Sequence, residues 1–291
     1  LEAREPNRIH REFPAPDPAA SPAIQRIVTG GWKQVAGEFP VDISPCTDDR
    51  PFIAQQGLMK NFHPKRLKAI EPMEMRGYPL SKLVICAVLA VVLLVVVPLN
   101  LLPYGRRGPK LGARGWLYFF AIGLAFMVLE IVLIQKYTLF IGASSYTLVA
   151  ILFTLLISSG AGSRFAQRFS DPVPFLAILV WLALDLLLFG RLTHAASGLT
   201  LAPRLALTAL LIAPLGFFMG MPFPKGTARV GSLVDWGFAV NGAASVLGSA
   251  AIMLVSFTWG FRAALLVGGL AYLAALALLA CPKGWTSEGL G

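Results

Sequence analysis

The stretch FAIGLAFMVLEIVLIQK, residues 120–136, decides the fold. It is apolar on every side of a helix, broken only by Glu130 before it reaches Gln135 and Lys136. A helix that is hydrophobic all round has no face to give to water, so it is buried in a large core or in lipid. A bilayer-crossing helix needs roughly 17–25 mainly apolar residues. Counting outward from this stretch gives seven such spans: 83–102, 116–135, 146–163, 173–190, 204–221, 238–257 and 262–281. Linkers 103–115 and 222–236 hold the Gly, Pro and charge that end helices. Trp116, Trp236, Trp259 and Trp285 fall near span ends, where aromatic belts form. Lipid leaves no partner for open backbone groups, so the spans read as helices. The expected fold is an all-α polytopic membrane domain over 80–291.

Composition agrees. The chain has 291 residues, 56% hydrophobic and 14% charged, with a mean hydropathy of +0.68. Soluble domains carry about 25% charged residues. The net charge of +10 comes from basic residues clustered in short loops, a pattern suited to anionic headgroups; no basic-aromatic motif points to nucleic acid. The basic residues divide about evenly between the two sides that seven spans define, so charge does not set the orientation.

Residues 1–79 differ. Pro14, Pro16, Pro18 and Pro22 mark an extended stretch. AIQRIVTGGWKQVAGEF (23–39) reads as a short helix interrupted at Gly30–Gly31, and PVDISP as extended chain. Such a segment is too poor in apolar pattern to make its own core, so it reads as the tail of a larger soluble domain. The opening residues show neither an initiator Met nor an apolar signal region, and the expectation is a chain that starts inside a longer protein.

Polar residues among the spans are few. An intramembrane carboxylate is costly and marks either a functional group or a hydrogen-bonded tie between helices. Glu130 and Asp185 both stand in that position, while Gln135 and Lys136 mark an interface. Asn241, Ser245 and Ser249 recur every four residues and share a helix face. They suit close helix packing with Asn241 as interhelical tie, or a substrate site at a discontinuous helix. The segments SSGAGS (158–163), GFFMG (216–220) and GMPFPKG (220–226) add small residues and helix-stopping prolines. Cys46, Cys86 and Cys281 lie far apart, and His10, His63 and His194 form no metal-ligand spacing, so no metal site is expected. GAGSRF (160–165) lacks the third glycine of a nucleotide loop, and PFPKGT inverts the order of a phosphate loop. No catalytic residue is assigned.

Five motifs in one order carry a resemblance: PVDISPCTDDRPF, GLAFMVLEIVLIQKYTLFIG, LLISSGAGS, APLGFFMGMPFPKG and WGFAVNGAASVLGS. Over roughly residues 38–281 the chain resembles the C-terminal membrane half of bacterial integral-membrane spermidine-synthase-like proteins. There a Rossmann-type aminopropyltransferase or methyltransferase-like domain precedes a helical membrane region. The resemblance implies a multi-pass protein of the bacterial inner membrane whose parent uses an S-adenosyl-type donor. It makes residues 1–79 the end of the α/β domain and its basic linker. It places the donor-binding half upstream of Leu1, so this chain binds no cofactor and is inactive alone. The implied partners are the lipid bilayer, the upstream domain and a second copy of the chain. Thr47, Asp48, Asp49 and Arg50 would then stand at the exit from the soluble domain, as a structural clasp or as part of an active site. A transporter-like module for a polyamine, or an anchoring and oligomerisation unit, are the alternatives.

Overall fold

The computed structural model describes residues 22–52, 57–63, 77–96, 98–99, 102, 109–281 and 284–286. It is mostly helical, with no strand among the described residues. Chain contacts divide it into two units, Leu1–Thr47 with Pro51–Val84, and Asp48–Arg50 with Ile85–Gly291.

In the first unit, α1 (Pro22–Gly30) and α2 (Trp32–Val35) are separated at Gly31, whose φ of 81° only glycine adopts without strain. Arg26 grips the Glu38 carboxylate with both guanidinium nitrogens, one at 2.9 Å, and this holds the carboxyl below its ordinary range. Residues 42–46 have no regular structure. Asn61 donates to the carbonyls of Pro40 and Gly77, at 2.6 and 2.8 Å. The proline-rich stretch before Pro22 lies outside the described residues.

Helix α3 (Leu80–Val91) continues as a π-helical turn through Val96. The rest of the second unit is built from α4 (Ala113–Ile141), α5 (Ser145–Phe165), α6 (Pro172–Ala195), α7 (Leu201–Met219), α8 (Pro222–Val230) and α9 (Val234–Ala280). Four helical stretches are long and apolar enough to cross a membrane: 113–141, 145–168, 172–195 and 201–280. Their outward residues are apolar, as at Leu187, Leu210 and Leu270, exposed by 72, 70 and 64%. In water such a surface would aggregate; against lipid it costs nothing.

The last stretch is not one rod. Gly260 breaks α9 with φ 87° and ψ 178°, and the chain reverses there. Before the break α9 runs with α4: Gly237 meets Phe119, Asn241 meets Gly123, and Met253 meets Gln135. After it the chain returns, with Gly268 against Val128 and Leu129 and, past its end, Trp285 against Tyr118. Small residues make these approaches possible, since a Cβ on Gly123 would stand 2.5 Å from the Asn241 carbonyl. Gly162 likewise lets α5 lie against the Phe217 carbonyl of α7.

The bundle therefore has two ends. At one, Lys225 donates to the Phe169 carbonyl (2.7 Å), Asp171 receives Lys225 and Arg229, and Arg229 caps the Leu279 carbonyl at 2.8 Å. Gly112 donates to Trp285 nearby, at 2.8 Å. At the other end Arg204 donates to the Phe140 carbonyl closing α4, at 3.1 Å, and to the Ser197 carbonyl.

Candidate functional site

The break at Gly260 leaves two helix ends side by side at one end of the bundle. The last carbonyls of one half and the first N–H groups of the other have no intrahelical partner. Residues 48–50 supply partners from far along the chain. The Asp49 carbonyl accepts from Phe261 N–H at 2.8 Å, and its Oδ1 accepts from Arg262 N–H at 2.8 Å. Arg50 Nε donates to the Phe257 carbonyl at 2.8 Å. An acid thus meets the positive end of one helix, and a base the negative end of the other. Prolines at 45 and 51 stiffen the approach and departure of this short segment.

Beside these caps lies an ion pair. Lys136 of α4 bonds to Asp185 of α6, with side chains 9 and 6% exposed. Tyr137 donates to the other Asp185 oxygen at 2.9 Å, and the Lys136 ammonium lies 4.0 Å from the Phe189 ring centre. A lone charge in this setting would carry a large desolvation cost, which the pair and the tyrosine offset. Lys136 also borders a small cavity of about 70 Å³, together with Asp48, Asp49 and Arg262. Asp48, Asp49 and Asp185 against Arg50, Lys136 and Arg262 make a formally neutral group of six charges.

Four of the residues singled out from sequence therefore converge here: Asp48, Asp49, Arg50 and Asp185. Thr47 is exposed, at the edge of the segment. Glu130 is half-buried on α4 and has no hydrogen-bond or ion-pair partner among the described residues. Gln135 donates to Met253 Sδ at 3.0 Å and leaves its own carbonyl oxygen buried without a partner. Asn241 stands apart, on the wall of a second cavity of about 440 Å³. Sequence reasoning did not assign Lys136 to Asp185; an acid and a base on separate apolar spans were the available signal. It also passed over Asp171, Lys225 and Arg229, although a lysine inside GMPFPKG was in view.

Among the described residues no group of His, Cys, Asp or Glu could hold a metal ion. No protein-family model, curated protein or solved structure matches this chain.

Proposed function

We propose that this chain is the membrane domain of a spermidine-synthase-like protein of the bacterial inner membrane, crossing the bilayer seven times. Its parent would transfer an aminopropyl or methyl group from an S-adenosyl-type donor to an amine or other nucleophile. This chain supplies the helical part to which that transferase is joined. The observation that carries the reading is the capping of the Gly260 reversal by Asp49 and Arg50. The segment that stands at the exit from the soluble domain in the resembling family completes a helix pair in the membrane domain. A change in the soluble domain could then be felt by the last two helices.

Seven crossings are supported by the two bundle ends. Residues 48–50 lie with Lys136 and Arg262 at one end, whereas Gly112 lies with Trp285 at the other. On this reading the chain crosses once between residues 50 and 112. It passes again along α4, α5, α6, α7 and each half of α9. The polyamine-transport reading has less support, because among the described residues the cavity of about 440 Å³ has no carboxylate on its wall to receive an ammonium group.

Group transfer needs a pocket that aligns donor and acceptor for in-line attack. This reading places that pocket in the soluble domain. The purified chain, titrated with S-adenosylmethionine in detergent by calorimetry, should show no saturable heat. Micromolar binding abolished by a substitution within 83–281 would overturn the division of labour.

A further inference from the structure

We infer that the larger cavity binds an uncharged, hydroxyl-bearing amphiphile drawn from the surrounding lipid, with its polar head inside and its hydrocarbon tail outward. The cavity measures about 440 Å³, within the roughly 300–1,000 Å³ range of small-molecule sites. It lies where SSGAGS of α5, GMPFP between α7 and α8, and the Asn241–Ser245 face of α9 converge.

Small residues often serve only to bring helices together, and Gly162 and Gly220 do so here, each against a carbonyl of the neighbouring helix. Gly160 does not. A Cβ built on it would meet nothing within 4 Å, so this glycine leaves space.

The polar groups on the wall indicate the occupant. The hydroxyls of Ser159, Ser163 and Ser245 donate to backbone carbonyls of their own helices, at 3.2, 2.9 and 2.8 Å. Their oxygens keep lone pairs with no proton to offer. The Asn241 side-chain amide makes no hydrogen bond among the described residues and adds an acceptor oxygen together with two N–H donors. Tyr272 is 1% exposed and lines the same cavity, and its hydroxyl has no partner among the described residues. A polar group buried to this degree is costly to leave unpaired, which favours a ligand that pairs it. Free acceptor oxygens outnumber the three free protons of Asn241 and Tyr272, so a hydroxyl, which both donates and accepts, suits this wall better than a group that only accepts. Among the described residues no charged side chain lines the wall, so neither phosphate nor ammonium would be neutralised there. Leu156 and Phe238 belong to the wall and are also 64 and 60% exposed on the outer surface, which opens the site toward hydrocarbon.

The test uses the purified chain in detergent with three radiolabelled oleoyl probes. These are 1-monooleoylglycerol, methyl oleate, which has no hydroxyl, and 1-oleoyl-lysophosphatidate, which is charged. Saturable binding of monooleoylglycerol alone is expected. It should weaken at least tenfold in Asn241→Leu and in Tyr272→Phe. It should vanish in Gly160→Phe, which adds a bulky ring at a wall position where a Cβ meets nothing within 4 Å. Equal retention of all three probes would reveal an unselective apolar crevice and overturn the inference. So would failure of monooleoylglycerol to bind, or binding unaffected by Gly160→Phe.

Discussion

A lysine and an aspartate, 49 residues apart, show what one ion pair does in an apolar bundle. Lys136 and Asp185 do not hold α4 and α6 together by mutual attraction alone, because desolvation offsets much of it. What matters is that neither is left alone. Lys136→Met, which keeps the shape and removes the charge, should cost about 3–5 kcal/mol by stranding Asp185. Lys136→Met with Asp185→Asn should recover most of that loss, since the amide still accepts from Tyr137. Unfolding in mixed micelles measures both; a double variant as weak as the single one would mean that the charges themselves are required. Sequence showed that Asp185 was costly but not what answered it. Periodicity is a local signal, and the partner lies on another helix. Glu130 drew the same attention for its depth, yet its half-buried carboxyl is bonded to nothing described, while Lys136, read only as an interface marker, is the better-held charge.

Helices were the legible part of this chain. Spans 116–135, 146–163, 173–190, 204–221, 238–257 and 262–281 all fall on helix within one or two residues, because twenty apolar residues in lipid have few other conformations. The earliest, 83–102, begins on α3, and parts of it lie outside the described residues. How the elements meet was not legible. The gap between the last two spans showed that something interrupts there, but not that residues 48–50 fill the interruption. Gly260 is the point on which that arrangement turns. Its φ and ψ belong to a region open essentially to glycine, where another residue costs about 1–3 kcal/mol. An added Cβ would also stand 2.6 Å from Asp49 Oδ2. Gly260→Ala should therefore lower stability in detergent by more than strain alone. Asp49→Ala should cost about 0.5–2 kcal/mol as a lost cap, and Asp49→Asn much less. The two positions should couple, with Gly260→Ala milder in an Asp49→Ala background. Strict additivity would show that the cap and the break are unrelated.

For the whole molecule, the two polar ends make a prediction about sidedness. In a chain freed of Cys46, Cys86 and Cys281, single cysteines at Lys110 and Ser170 should label from one side of the membrane. Those at Asp48 and Ser197 should label from the other. Lys110 labelling with Ser197 would break the seven-crossing path. Charge counting could not have set this order, because basic residues are spread evenly over both ends. The bond from Asp49 to Arg262 spans 213 positions of sequence, so it encloses nearly all of the bundle within a single closed circuit of chain. A ribosome releases residue 49 long before residue 262. For most of synthesis, then, this acid and its neighbouring arginine wait without the helix ends they will cap. The circuit closes only when the final hairpin arrives. Assembly is thereby timed by its last step: a chain stopped short of Gly260 can place every earlier helix in the bilayer and still lack the contact that makes them one closed structure.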